Sequence, residues 1–493
     1  MRLSFMFFCC LAVCGTAQAN PAQRFNDLLE QTESARGLGE PPPIVDACGE
    51  EEKKEFVQLV AAGDASLSFD PWYLWYEELA DINPNDYSSA QAYLDALTSP
   101  LAPDGRDPGF SYLTTQAEDD ARGSTGAYVG YGFRFTIDDL GRFVFVDVLQ
   151  DTPAGLANFD RGNEIVAMDV GNGFETIEEI SQRHFYIGTL LDEMFGPSEA
   201  GVERGFRVRQ GSATVEATLV KTELVTPPLA VDPLLLERTG TTPVGYLHLR
   251  SFIGTANDAL DDAMAVFGQA GVEDLVIDFR YNGGGRLDVA DRMLDLLAGT
   301  LPSAIGQESW RLAHNDRRSE EDFGASFAPL PDSIRPLRIA FITTGGTASA
   351  SELVINSLSP HIEVVLVGEN TLGKAVGQYA FDQDLGPPEW ADCDTRLRLI
   401  TFEIVNGEGN GGYYNGLVDA GFTLCPAADD ITRPFGDPEE ASLKSALAWL
   451  NEGQCGGAAG SGLRRAKPRR IDGPRWQRSD LPDAPFGLSP WVR

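Results

Sequence analysis

The chain is poor in histidine and in basic residues. It has 4 His, and 38 Lys plus Arg against 74 Asp plus Glu, for a formal net charge of -36. So acidic a chain repels polyanions, which excludes nucleic acid as a partner and disfavours an anionic membrane surface. No Cys-x-x-Cys pair and no His-Glu-x-x-His pattern occurs, so no metal site is expected. Beyond the first residues there is no apolar run long enough to span a bilayer, so no integral membrane span is expected. What is present is a globular composition, 43% hydrophobic and 10% aromatic. At 493 residues the chain exceeds one compact core, and two or three folded units are expected.

Both ends read as something other than folded core. Met1-Arg2 carries a positive charge, Leu3 to Val13 is apolar, and Ala17-Gln18-Ala19 fits a small-x-small cleavage site. Residues 1–19 are therefore expected to be a signal peptide, and the protein to be exported, to the periplasm. Leu11-Ala12-Val13-Cys14 also resembles a lipobox, leaving lipid anchoring through Cys14 as the alternative. Residues 20–45 read as a linker ending in Pro41-Pro42-Pro43. Residues 456–493 open Gly-rich, turn basic, and are expected to be disordered. Cys48, Cys393, Cys425 and Cys455 lie outside the export signal. An even number in an oxidising compartment suggests two disulfides. Three pairings are open, and Cys393–Cys425 with Cys48–Cys455 is the favoured one.

Between the ends the pattern changes twice. Residues 46–125 look helical, from Glu50 to Leu97, with Phe56, Leu59 and Val60 at helical spacing. The aromatic cluster Pro71-Trp72-Tyr73-Leu74-Trp75-Tyr76 is expected to pack between helices, a binding face being the alternative. Residues 126–225 alternate as short strands, such as Tyr128 to Phe135 and Arg142 to Val148. Residues 226–455 alternate strand and helix: strand Val244–Leu249, helix Ala256–Ala270, strand Asp274–Phe279, helix Val289–Leu297, strand Leu337–Thr343, helix Ser349–Leu358. That order predicts a mostly parallel sheet covered by helices, so the chain as a whole is α/β and multidomain.

Thr347-Ala348-Ser349-Ala350-Ser351-Glu352 follows an apolar strand and a Gly345-Gly346 turn and opens a helix. A serine there sits at the positive end of a helix dipole, where a developing oxyanion is stabilised. The same Ser-x-x-Glu spacing also fits a plain helix cap. Downstream, Gly368-Glu369-Asn370-Thr371-Leu372-Gly373-Lys374 follows another strand. A buried lysine loses its preference for the charged form, so a neutral Lys374 can accept the Ser349 proton. Gln378, four residues on, is placed to orient the amine, while a surface loop lysine is the bland reading of Lys374. Glycines of the Gly283-Gly284-Gly285 turn allow backbone N–H groups to face a site at close range, or make an ordinary strand-to-helix turn.

These residues resemble the C-terminal processing (tail-specific) serine peptidase family. That family has a Ser-Ala-Ser-Ala-Ser-Glu-like helix start, a Gly-Lys pair 25 residues after the middle serine, and a Gln four beyond, as Ser349, Lys374 and Gln378 stand here. Its Asp-x-Arg-x-Asn-x-Gly-Gly strand end is similar to Asp278 through Gly285, and a further family strand to Val244 through Phe252. Two positions depart from it: Thr347 replaces the first serine, and Ala375 stands where Gly is common. The resemblance implies a peptidase core of the ClpP/crotonase-like kind over 226–455. It implies a Ser349 nucleophile, a Lys374 base, a Gln378 third member, and an oxyanion hole from the N–H groups of Gly284 and Ala350. No metal or cofactor is implied. Residues 126–225 resemble a PDZ domain, with Gly130-Tyr131-Gly132-Phe133 at the carboxylate-binding loop and Gly162-Asn163-Glu164-Ile165 at a strand opening. The implied partners are protein or peptide substrates with free C-termini. A non-catalytic peptide-binding scaffold, and a tricorn-like peptidase with a histidine base, are the alternatives.

Overall fold

A computed structural model describes residues 48–455 apart from 139, 185–186, 239–241 and 387–389. The expected signal peptide, Cys14, the linker and the basic tail lie outside the described residues.

The N-terminal segment holds helices Glu50–Ala62 and Ala90–Thr98. The helical reading of Glu50 to Leu97 includes a separate short helix from Ser88 to Leu97, which is the helix Ala90–Thr98; Gly63, at φ 72, ends the first helix, and Pro71 and Pro84 lie between the two. The aromatic cluster is indeed core, but it does not pack only between helices. Trp72 meets Tyr379 and Phe381 at 5.8 and 5.4 Å, and Trp75 meets Tyr414 at 6.1 Å. Strand β1 (Tyr112–Thr115) leaves this segment to pair antiparallel with the long strand Thr395–Asn406. The N-terminal segment is thus built onto the α/β core, not beside it.

Residues 127–225 follow as β2 (Ala127–Gly130), β3 (Phe133–Ile137), β4 (Phe143–Val148), β5 (Glu164–Asp169), β6 (Phe174–Thr176), β7 (Glu203–Gln210), β8 (Ala213–Val220) and β9 (Thr222–Val225). The entering and leaving strands, β2 and β9, pair antiparallel. The others form an antiparallel sheet in the order β3-β4-β5-β7-β8, with β6 on β5. A core of Tyr131, Phe133, Phe145, Phe159 and Phe206 lies under the helix Ile187–Phe195.

The remainder contains two sheets. One runs β10 (Leu234–Leu236), β11 (Val244–His248), β12 (Asp274–Asp278), then the strands Arg338–Thr343, Glu363–Gly368 and Leu424–Pro426. All its pairings but the first are parallel. Every residue of β11 and β12 is buried, because helices cover both faces. This explains their unbroken apolar runs. The other sheet is antiparallel, made of β13 (Glu308–His314), β14 (Phe323–Ser326), and, after β15 (Arg338–Thr343) and β16 (Glu363–Gly368) of the first sheet, β17 (Val376–Asp382) and β18 (Thr395–Asn406), which pairs with β1, β13 and β17. Leu424–Pro426 is β19.

The favoured disulfide pairing is overturned. Cys48 is bonded to Cys393, and Cys425 to Cys455. Cys393 belongs to the apolar cluster shared by the N-terminal segment and β18, whereas Cys425 lies in the cluster under the helix Ala441–Glu452. Each finds the cysteine brought to its own layer. Non-reducing peptide mapping is expected to return these two pairs. Cys393→Ser should lower stability by about 2–5 kcal/mol in thermal or denaturant unfolding.

Candidate active site

In the parallel sheet, β15 lies between β12 and β16. The carboxyl ends of three adjacent strands therefore open on one rim, the usual place for a site in such a sheet. From β12 comes the turn 279–286, from β15 the loop to Ser349, and from β16 the loop to Lys374. Residues about 70 and 25 apart in the chain meet because their strands are neighbours.

Ser349 is the N-cap of the helix Ala350–Leu358, with φ 56 and ψ −118. That conformation is unfavourable for any residue with a side chain, costing about 1–3 kcal/mol. Tyr281, in the facing turn, is also at positive φ, 61. The surroundings over-determine both. Ala348 N–H donates to Asn282 O at 3.0 Å, Thr347 Oγ1 to Phe279 O at 2.7 Å, and Ser351 Oγ to Asn282 O at 3.0 Å. Thr347, the departure from the family's serine, thus keeps a hydroxyl where one is used.

Glu352 is the joint between the Ser349 loop and the Lys374 loop. It is wholly buried, and its Oε2 accepts from both Ser349 N–H and Lys374 N–H, each at 2.9 Å. The two backbone nitrogens therefore lie within twice that distance of each other. Oε1 accepts from Gly373 N–H at 2.8 Å. Burial pushes the Glu352 carboxyl up to about 7, against the Thr371 hydroxyl and the converging N–H groups, which favour the anion. The cap reading of Ser-x-x-Glu is right as geometry, and Glu352 in addition accepts from Gly373 and Lys374 N–H. Glu352→Gln, which turns an NH₂ toward N–H donors, is expected to lose about 1–3 kcal/mol of stability. Its kcat should fall about a hundredfold with KM little changed, checked by steady-state kinetics beside thermal unfolding.

Lys374 is 7% exposed, so the surface-loop reading does not hold. Its Nζ donates to Gln378 Oε1 at 2.7 Å and lies 5.0 Å from the Phe110 ring centroid. Burial lowers its pKa to about 8; Asp107 and Glu352 work against that shift and Arg398 adds to it. Gln378 Nε2 donates to Phe110 O, from the N-terminal segment. Gly373, before the lysine, has φ 98, and any Cβ there would sit 2.5 Å from Tyr414 O, which demands glycine. Ala375, after it, is not among the residues with positive φ, so its methyl group brings no such strain.

Gly284 lies against the serine: a Cβ on it would fall 2.7 Å from Ser349 Cβ and 2.8 Å from Ala350 N. Its own N–H donates to Asn282 Oδ1 at 2.9 Å, within the turn. Ala350 is the first helical residue, whose N–H has no intrahelical acceptor. The four histidines are engaged elsewhere. His184 bonds Thr189 and Glu193, His314 bonds Asp322 and Tyr379, and His248 and His361 stand edge-on to Phe435 and Phe327. Among the described residues none pairs with Ser349 or Lys374.

The loop Gly130–Phe133 belongs to the strand-rich unit, and Arg134, next to it, donates to Tyr281 O of the rim turn at 3.0 Å. Tyr131 and Phe133 are fully buried, and Tyr131 OH donates to Phe195 O at 3.2 Å. Gly132 has φ 93 and packs on Thr152 so closely that no Cβ fits. These side chains are core, so only the loop's backbone is left to meet a ligand. Sequence reasoning missed Asp107 and Phe110 altogether, since no local pattern marks them.

The model for "Peptidase family S41" matches residues 243–411, and that for the "Peptidase S41 N-terminal domain" matches residues 68–112. The carboxyl-terminal-processing protease of Synechocystis sp. is 26% identical over 261 residues, 52% of this chain and 56% of that protein. The chloroplastic carboxyl-terminal-processing peptidase 1 of Arabidopsis thaliana is 27% identical over 339 residues, 67% and 64% of the two chains. The chain thus spans less than two thirds of the length of these relatives. A crystal structure from Bacteroides fragilis, assigned to the S41 proteases, superposes with a TM-score of 0.61 at 23% identity, over 85% of this chain and 100% of that one, and bears on the fold. By these matches residues 243–411 and 68–112 are similar to peptidase family S41, and carboxyl-terminal-processing proteases are among the homologues of the chain.

Proposed function

We propose that the protein is an exported serine endopeptidase of the C-terminal processing type, working by a Ser-Lys mechanism. The observation that carries this reading is the shared Glu352 oxygen, which joins a strained helix-start serine to a buried lysine of depressed pKa. Neutral Lys374 takes the Ser349 hydroxyl proton as Oγ attacks the peptide carbonyl. The Ala350 N–H faces the developing oxyanion, and Gly284 adds a second donor, shared with Asn282. The Lys374 ammonium then protonates the leaving amine. Water, deprotonated by the same amine, hydrolyses the acyl-enzyme and restores Ser349. Gln378 Oε1 accepts one amine hydrogen throughout and so aims the lone pair. Labelling the purified protein with a serine-directed fluorophosphonate, followed by peptide mapping, tests the reading. The expected adduct is on Ser349; an adduct elsewhere, or none, favours the peptide-binding scaffold.

The unit 126–225 acts, in this reading, as a PDZ-like receptor for substrate C-termini. β3 stands at the end of its sheet, and Phe195 of the helix Ile187–Phe195 packs 5.3 Å from Phe135 of β3. An extended peptide adds to that strand edge beside the helix, its carboxylate meeting the Gly130–Phe133 backbone. A peptide with a free apolar C-terminus is expected to bind about tenfold more tightly than its amidated form by calorimetry. Equal affinities would remove this role. Among the described residues no helix is long and apolar enough to cross a membrane.

A further inference from the structure

The outer partners of Lys374 and Gln378 come from far away in the chain. Gln378 has an amide with a donor end and an acceptor end. Phe110 O can only accept, and it receives Gln378 Nε2. That contact leaves Oε1 facing Lys374 Nζ, where it accepts at 2.7 Å. The backbone carbonyl of Phe110 therefore decides which way the Gln378 amide points. Were the amide reversed, its NH₂ would face the amine and compete for the lone pair that must take the serine proton.

The Phe110 carbonyl is itself held. Asp107, 1% exposed, accepts from Phe110 N–H at 2.7 Å, Ser111 N–H at 3.1 Å, Ser111 Oγ at 2.7 Å and Tyr73 OH at 2.9 Å. Ser111 Oγ in turn accepts from Ile400 N–H at 3.2 Å, fastening the turn to β18. Phe110, Ser111 and Tyr73 are each no more than 1% exposed. Four donors on one buried carboxylate make a rigid knot at the edge of the site.

We propose that the turn Asp107–Ser111 of the N-terminal segment is a positioning element of the candidate active site, in which Asp107 fixes Phe110, and Phe110 aims Gln378 with its carbonyl and lays its ring against the Lys374 amine. This rests on the Ser-Lys reading and extends it to a part of the chain about 270 residues from the lysine. The charged groups that face Lys374 are Asp107, Glu352 on the nucleophile helix, and Arg398 on β18, which is paired with Asp119. Asp107 and Glu352 favour the ammonium; Arg398 opposes it. The Phe110 ring face also favours the ammonium. Removing the Asp107 charge or the ring therefore makes Lys374 neutral at lower pH.

The test follows the rate of fluorophosphonate labelling of Ser349, and the hydrolysis of an unfolded dye-labelled protein, from pH 6 to 10. For Asp107→Asn the ascending limb should move to lower pH by about one unit, and the plateau rate should fall about tenfold with KM little changed. For Phe110→Leu, which keeps apolar bulk, the limb should move the same way by about half a unit. A change that only loosened the fold would lower the rate without moving the limb. Thermal unfolding is recorded for each variant; if Asp107→Asn does not fold, the limb of Phe110→Leu decides. Parental limbs in the folded variants, with Lys374→Arg inert, overturn this inference alone. An active Lys374→Arg overturns the Ser-Lys reading and this inference with it.

Discussion

Ser349→Ala is expected to be folded and inert. The alanine keeps the Cβ that rests against Gly284 and loses only the hydroxyl, so the local packing survives. Stability should fall by about 0.5–2 kcal/mol, the cost of the lost cap hydroxyl. Hydrolysis should fall by at least about 10⁴-fold, because no neighbouring group replaces the attacking oxygen. Ser349→Gly sharpens the test. At φ 56 and ψ −118 the backbone is strained for any L residue and easy for glycine. The glycine protein should be just as inert and about 1 kcal/mol more stable than the parent. That combination, lost activity with gained stability, marks strain kept for chemistry. Hydrolysis by Ser349→Ala at the parental rate would remove Ser349 from the mechanism.

The second large effect concerns Lys374 and pH. A base must be neutral, and burial lowers the Lys374 pKa from 10.5 to about 8. The neutral fraction is then about one tenth at pH 7 and about nine tenths at pH 9. kcat/KM, which reports the free enzyme, should climb about tenfold between pH 6 and 7 and level off above about pH 9. The sign is fixed by the group: a lysine base gives an ascending limb, and acid protonates it. Glu352, whose carboxyl is pushed up to about 7, also loses a proton in this range. Its anion accepts the N–H groups of Ser349 and Lys374, so its ionisation acts in the same direction. A second, lower pKa on the ascending limb is the expected trace of it. Lys374→Arg should be inert at every pH, since guanidinium remains charged, while Lys374→Ala should be inert without changing the fold. An ascending limb that persists in an active Lys374→Arg protein would transfer the base to another residue.

Several elements of this protein were legible from residues alone because their cause is local. Apolar runs of five or six residues bounded by glycine and proline mark buried strands, and β11, β12, β15 and β16 lie where those runs do. The spacing of Phe56, Leu59 and Val60 marks a helix face, although Val57 rather than Leu59 is fully buried. Ser349 at a helix start and Glu352 three residues on describe a cap that the backbone must form wherever that helix begins. The 25-residue interval from Ser349 to Lys374 is one helix, one strand and two loops, a unit short enough for local pattern to specify. The order of strands was harder to read, since pairing depends on which apolar faces meet.

Other features are decided only when layers close. Cysteines carry no label for their partners, so Cys393 pairs with Cys48 because both face the N-terminal cluster, and Cys425 with Cys455 because one sheet edge and one helix end meet. The aromatics between the two N-terminal helices find their partners only in the fold, where Trp72 meets Tyr379 and Phe381 of β17 and Trp75 meets Tyr414. Asp107 and Phe110 gave no sign of a role, since an isolated acidic residue and an isolated Phe occur throughout any chain. Their effect on Lys374 arises from burial, which removes water and leaves each remaining hydrogen bond and charge to act on its neighbour at short range. The identity of the serine, lysine and glutamine is a property of the sequence; the orientation of the glutamine and the pKa of the lysine belong to the tertiary structure, because only packing can exclude the solvent that would otherwise level them.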